Sequence, residues 1–241
     1  PLRLVGSEMC IRDSYQWFCE TLARVWILSQ CTEYVDIPVV VSADLSSAHL
    51  EMLEMAGVPG GRLIQQHQDE MISSDLLIVP SLMVIGNWVS PVALQHLRRT
   101  LGNSAIRGER RIYLSRAGFQ NRRVANECEL LPILQQCGFE IIDTRNIDDL
   151  KMLRKVADAD IVIGVDDDLL ANMVLAPSGS RLGVIATGNN NRSAVRHLCG
   201  PLSIDVTYLM GDIDYQSNPS LALCDIHLPL HVLEAFLEQA G

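Results

Sequence analysis

The sequence is poor in cations, with 19 lysines and arginines against 29 aspartates and glutamates, for a formal net charge of −10 at pH 7. Proteins that bind nucleic acid or anionic membranes by general electrostatic attraction need a cationic field, which this composition does not supply. We therefore expect no nucleic-acid partner.

Several chemical signatures are also absent. No C-x-x-C pair occurs, which argues against a zinc site, and we interpret the scattered cysteines as free thiols of a reducing compartment. There is no G-x-S-x-G nucleophile elbow, and the glycines at 57–61 lack the lysine of a phosphate loop. No apolar run approaches the roughly 18 residues of a membrane span. These absences favour a cytoplasmic protein without a span, with peripheral attachment to the inner membrane as the alternative.

Residues 1–13 show no helical or strand period, and their stretch VGSEMCIRD resembles a translated sequencing-adaptor scar. We expect this segment to be foreign to the natural protein and the N-terminal half to be truncated.

The rest of the chain is 14–241, and the whole sequence is 48% hydrophobic, enough for a sizeable core. Short β-branched runs alternate with amphipathic segments, a pattern typical of parallel sheets with helical crossovers. Strands are predicted at 37–43, 61–66, 75–81, 111–115, 139–143, 160–165, 181–186 and 204–210. Helices are predicted at 16–29, 46–55, 90–102, 124–137, 147–158, 167–175, 194–198 and 229–239. The fold class predicted is α/β, with two Rossmann-like domains over 14–102 and 110–241 and a polar linker at 103–109.

The most informative stretch is residues 111–143, where a predicted strand ends at Ser115 and Arg116. A loop with Arg122 and Arg123 follows, and Asn126 and Glu127 open the next helix. Ligands of parallel α/β sheets bind at the carboxyl ends of strands, and guanidinium groups bind phosphate bidentately. An anion site is one interpretation. The other is that the two loop arginines pair with the acids at 127 and 129 and solvate a helix end.

This stretch is similar to the core signature of the family 61 glycosyltransferases, a strand ending in I-S-R, a basic pair, N-E-x-E, a helix and G-F-E. Residues 157–182 resemble a second motif of that family, and YQWFCETLARVWIL at 15–28 resembles a third near the start of its catalytic region. The resemblance covers about residues 15–200. It implies a GT-B architecture and transfer of a sugar from a nucleotide-sugar donor to a glycan or lipid-linked acceptor, as in capsular polysaccharide synthesis.

The resemblance also implies residue roles. The donor diphosphate would be held by Ser115, Arg116, Arg122 and Arg123, and Asn126 and Glu127 would order the arginines or touch the sugar. Asn172 would support the loop after the strand at 160–165.

The sequence departs from the family pattern where chemistry is expected. Asp166, Asp167, Asp168 and Leu169 replace an H-G-A-G motif, Gln16 replaces a histidine, and Val184 replaces an acid.

Three interpretations of the aspartates stay open. Asp166 or Asp167 could cap a helix, since acids stabilise its first turn. Asp166 and Asp168 could hold Mg²⁺ or Mn²⁺ against the diphosphate. Asp166 or Asp167 could be the catalytic base for the acceptor hydroxyl. The alternatives to an enzyme are a catalytically inactive binding or scaffold module of the same fold and an unrelated α/β ligand-binding protein.

Overall fold

A computed structural model describes residues 14–85, 88–102, 108–145, 147, 149–188 and 194–240. The chain forms two compact units, residues 1–102 and 103–241. The predicted scar at 1–13 and most of the predicted linker, residues 103–107, lie outside the described residues.

The first unit begins with a continuous helical segment made of α1 (Ser14–Gln16), a π-helical stretch (Trp17–Leu22) and α2 (Ala23–Ser29). Trp17, Leu22 and Val25 are buried, as the apolar spacing predicts, whereas Trp26 and Ile27 are only partly buried. The other elements are β1 (Val39–Ser42), α3 (Ser47–Met55), β2 (Leu63–Gln66), β3 (Val84–Ile85), β4 (Trp88–Val89) and α4 (Pro91–Leu101).

The sheets of the first unit are small. β1 pairs with β2 in parallel, and β3 pairs with β4 in antiparallel orientation. The strand predicted at 75–81 does not form, and Leu76 within it is 73% exposed. An apolar β-branched run becomes a strand only where a neighbouring strand accepts its hydrogen bonds, and the described residues offer this run no such neighbour.

The second unit is built around five parallel strands in the order β6-β5-β7-β8-β9. In chain order its elements are β5 (Arg110–Ser115), α5 (Glu127–Gln136), β6 (Phe139–Asp143), α6 (Asp149–Val156), β7 (Ala159–Val165), a 3₁₀ helix (Asp168–Leu175), β8 (Arg181–Ala186), α7 (Ala194–Cys199), β9 (Asp205–Met210), β10 (Asp212–Asp214), β11 (Asp225–His227) and α8 (Leu230–Ala240). β10 and β11 form an antiparallel hairpin outside the main sheet.

Helices cover the sheet of the second unit in two layers. On one face, buried residues of α5 and α8 pack against strand residues such as Ile163 and Ile185. A Cβ on Gly183 would lie 3.2 Å from the Phe236 ring of α8, so the glycine permits this close approach. On the other face, a Cβ on Gly164 would lie 3.1 Å from Leu170 of the 3₁₀ helix. This arrangement confirms the α/β class.

The strand order reverses between β5 and β7. From β5 the chain passes to β6 at one edge, whereas β7, β8 and β9 follow one another towards the other edge. The chain therefore leaves β5 and β7 towards opposite edges of the sheet. In sheets of this kind, ligands usually bind at such a switch point, at the carboxyl ends of the strands. Over the described part of the chain, none of the helices combines the length and apolarity that crossing a bilayer requires.

Candidate functional site

The loops after β5 and β7 meet at the switch point. β5 ends at Ser115, so Arg116 is the first residue of one loop, and β7 ends at Val165. The amide of Asp166 still donates to the carbonyl of Ile185 over 2.9 Å, which places Asp166 at the very edge of the sheet. Asp167 then turns into the 3₁₀ helix.

Arg116 connects the two loops. Its Nη1 donates to Oδ2 of Asp167 in an ion pair whose side chains are only 9% and 20% exposed. The guanidinium carbon lies 4.2 Å from the ring centroid of Phe119, a cation–π contact. Nε of Arg116 is buried and has no hydrogen-bond partner among the described residues. Burial lowers the pKa of Arg116, and the negative charge of Asp167 opposes that shift.

Arg122 approaches the same place from the tip of the loop. Its Nη2 donates to the backbone carbonyl of Asp166. Its backbone has φ = 53°, in the left-handed region that side chains other than glycine rarely adopt. The amide of Arg122 donates to the carbonyl of Leu223 over 3.2 Å. The contact with Asp166 thus depends on an unusual backbone conformation.

Arg123 points to a different partner. Its Nε and Nη2 donate to Oδ2 of Asp225 over 2.9 and 2.6 Å, and its amide donates to Oδ1 over 2.8 Å. The hydrogen bonds to Asp225 raise the pKa of Arg123. The structure therefore brings Arg116 and Arg122 together with Asp166 and Asp167, and holds Arg123 apart from them on Asp225.

The residues that open α5 are engaged in the protein interior. Nδ2 of Asn126 donates to the carbonyl of Leu228 over 2.8 Å, and the amide of Leu228 donates back to Oδ1 over 3.0 Å. Glu127 accepts from the Tyr113 hydroxyl at 2.9 Å and from the Ser115 hydroxyl at 3.1 Å. Both side chains order the surroundings of the loop. One interpretation of the sequence paired Glu127 with a loop arginine, but its hydrogen bonds are with Tyr113 and Ser115.

The aspartate triplet forms a helix start. Oδ1 of Asp167 accepts from the amide of Leu169 over 3.2 Å, so Asp167 is the cap. Nδ2 of Asn172 donates to the Leu169 carbonyl over 2.8 Å within the same 3₁₀ helix. Burial raises the pKa of Tyr208, and the charge of Asp166 raises it further. Across the described ranges, no three His, Cys, Asp or Glu side chains gather closely enough to hold a metal ion.

Two polar residues near the site escaped the sequence reasoning. Arg145, just after β6, donates from Nη2 to Asp143 over 3.0 Å, and a Cβ on Gly118 would overlap its guanidinium. The sequence offered a signal for Arg145, because Thr144 and Arg145 directly follow a predicted strand. Asp225 had no such signal, because it lies in a three-residue strand that shows no period.

Comparison with known proteins gives one family. The model for Glycosyltransferase 61 matches residues 15–183, more than two thirds of the chain. Curated proteins gave no match. The matched range includes both loops of the switch point and ends within β8, so Asp225 and the hairpin of β10 and β11 lie beyond it.

Proposed function

Because this chain belongs to the glycosyltransferase 61 family, we propose that it moves a sugar from a nucleotide-sugar donor to a glycan or lipid-linked acceptor in the synthesis of a surface polysaccharide such as a capsule. The second unit would be the donor side and the first unit the acceptor side of a GT-B enzyme. The family supports glycosyl transfer in general, and the donor-site proposal is supported by local geometry.

One observation carries the donor-site proposal. Arg116 and Arg122 both reach the switch point of the parallel sheet, Arg116 from the start and Arg122 from the tip of the loop after β5. Guanidinium groups bind the oxygens of a diphosphate in pairs, and the crevice at a switch point is the usual ligand position of such sheets. Buried Nε of Arg116 adds a hydrogen-bond donor that a phosphate oxygen could satisfy.

The proposed chemistry is displacement at the anomeric carbon. The bond between that carbon and the β-phosphate oxygen breaks, and a bond to the acceptor hydroxyl oxygen forms. Negative charge grows on the leaving diphosphate, and preorganised cations stabilise it most where charge develops. Arg116 and Arg122 would supply this stabilisation, with Ser115 beside them at the end of β5.

The acceptor proton must pass to a base. Both carboxylate oxygens of Asp167 already accept hydrogen bonds, from Leu169 and from Arg116. An Asp167 carboxylate engaged in this way is a poor base, and we propose Asp166 for the role on the ground of its position. Asp166 stands directly after β7 at the same edge as the arginines.

Calorimetric titration with UDP, GDP, ADP and CDP tests the donor site. We expect at least one to bind and Arg116→Ala to weaken it by about tenfold or more, the usual effect of a lost charge-assisted pair. Arg181→Ala is the matched control, since Arg181 lies at the amino end of β8 and donates to the Gln239 carbonyl. Equal affinities for the three proteins would refute the site.

A catalytically inactive module is the second candidate, and the Arg116–Asp167 pair favours it, because that carboxylate already neutralises the guanidinium a donor would need. Measuring the turnover of a sugar-nucleotide donor distinguishes the two candidates. Release of nucleoside diphosphate from a sugar-nucleotide donor by the wild type, lost in Asp166→Asn, supports the enzyme. No turnover of any donor by the wild type supports the module.

A further inference from the structure

The loop after β5 is fastened to a segment about a hundred residues away. The amide of Ala125 donates to the carbonyl of Ile226 over 2.8 Å, and the amide of Ile226 donates back to the carbonyl of Arg123 over 2.8 Å. Val124 and Ile226 form an isolated parallel bridge. The loop thus adds a short strand-like pairing to β11, outside the main sheet.

Asp225 is the polar centre of this attachment. Its side chain is 4% exposed, and its two oxygens accept three hydrogen bonds from Arg123. Its own amide donates to the hydroxyl of Ser217 over 2.7 Å. A buried carboxylate is tolerated only when such bonds replace water. Asp225 therefore fixes both the main chain and the side chain at position 123.

This attachment also fixes the position of Arg122. A residue with a side chain at φ = 53° is strained, and such conformations persist only where the surroundings hold them. The bond to Leu223 holds the amide of Arg122 on one side, and Asp225 holds the next amide on the other. With both in place, the Arg122 guanidinium reaches the Asp166 carbonyl at the switch point.

We propose that Asp225 is a positioning residue for the donor diphosphate: its clamp on the Arg123 main chain keeps Arg122 aimed into the crevice. This inference rests on the proposed function and adds to it a residue beyond the range that the family matches. Arg123 then serves as the anchor of the loop, and Arg122 as a ligand.

A double-mutant cycle on the full chain tests the proposal. The measured quantity is the affinity for UDP or for whichever nucleoside diphosphate the wild type binds. Arg122→Ala should weaken binding about tenfold in the wild type but less than about twofold in Asp225→Ala, where Arg122 is already misplaced. If Asp225 only stabilised the fold, Arg122→Ala would keep its full effect in the folded fraction of Asp225→Ala. That result would overturn the proposal.

Asp225→Asn provides a second version of the cycle if Asp225→Ala does not fold. Asparagine keeps an acceptor for the Arg123 amide but not the charge, so an intermediate affinity is expected. Asp212→Asn is the matched control, because it removes one charge from an exposed position of the same hairpin and should bind as the wild type does.

The outcomes also separate this proposal from the donor site itself. Binding that Arg116→Ala weakens but Asp225→Ala and Asp225→Asn leave intact would overturn the positioning role alone. A wild type that binds no nucleoside diphosphate would overturn the donor site and the positioning role together.

Discussion

Replacing Asp167 with asparagine should move stability and ligand affinity in opposite directions. Its carboxylate pairs with Arg116 in a setting where the side chains are 9% and 20% exposed. Removing one partner of a fully buried pair costs about 3–5 kcal/mol. Asparagine retains an oxygen for the Leu169 amide, and Asp167 is partly exposed, so we expect a loss of about 1–3 kcal/mol in the free energy of unfolding.

The same change should tighten diphosphate binding. A phosphate on the Arg116 guanidinium would stand about 5 Å from the Asp167 carboxylate, where like charges repel by about 3 kcal/mol at an effective dielectric constant near 20. Solvent screening at a partly exposed carboxylate reduces this figure. We therefore expect affinity about ten times higher in Asp167→Asn, at 1.4 kcal/mol per factor of ten.

Two measurements on one protein check this reasoning, urea unfolding without ligand and calorimetry with a nucleoside diphosphate. Asp168→Asn is the matched control, because it removes the same charge one residue further on without breaking the ion pair. An equal gain in affinity in both variants would indicate only the general electrostatic effect of removing one negative charge near the site. Loss of stability together with loss of affinity in Asp167→Asn would refute the view that the carboxylate competes with phosphate.

Three further changes test the structure around the site. Asn126→Ala should lower the unfolding free energy by about 2–5 kcal/mol, because the buried amide and carbonyl of Leu228 each lose their partner; an unchanged urea midpoint would contradict this. Gly183→Ala should lower the melting temperature through overpacking worth about 1–3 kcal/mol, since its Cβ would meet three core side chains at 3.2 Å. The hydrogen bond from Lys155 lowers the pKa of Glu140, so that carboxylate stabilises the fold above its ordinary pKa and ceases to as the pH falls through the lowered value. The stability gap between wild type and Glu140→Gln should shrink with falling pH, and a constant gap would refute the ion pair's contribution.

Each of these has a matched control in the chain. Gln135→Ala removes an exposed polar side chain from α5 and should leave the urea midpoint unchanged. Gly188→Ala adds a Cβ that meets nothing within 4 Å. Glu234→Gln neutralises an exposed acid of α8 and should show no comparable pH dependence.

The central strands of the second unit, β5, β7 and β8, were predictable because they are largely buried on both faces. Strands covered by helices on both sides are continuous β-branched runs, so the predicted bounds at 111–115, 160–165 and 181–186 fall within one residue of those observed. The helix predicted from Val124 begins instead at Glu127. Residues 124 and 125 are held by β11, a tertiary contact that overrides their local helical pattern.

Part of the candidate site was likewise predictable from local sequence rules, and part was not. A cap at Asp166 or Asp167 followed from local rules, and the structure places it at Asp167. The partners of the arginines did not follow from local rules, because Arg116 and Asp167 are 51 residues apart and Arg123 and Asp225 are 102 apart. Local rules suggest charged partners within one helical turn, whereas the folded chain pairs these arginines with acids far away in the sequence.

The two ion pairs of the loop differ in a way that assigns their roles. Asp225 is 4% exposed and satisfied by three hydrogen bonds, so separating it from Arg123 would strand a buried charge. Asp167 is 20% exposed, so its side chain could turn to water if another anion took its place on Arg116. A diphosphate bound as we propose would therefore exchange with one carboxylate and not with the other. Binding would then replace one anion by another on the same cation, which makes the affinity depend on the second guanidinium, that of Arg122, and hence on the backbone that holds it in place.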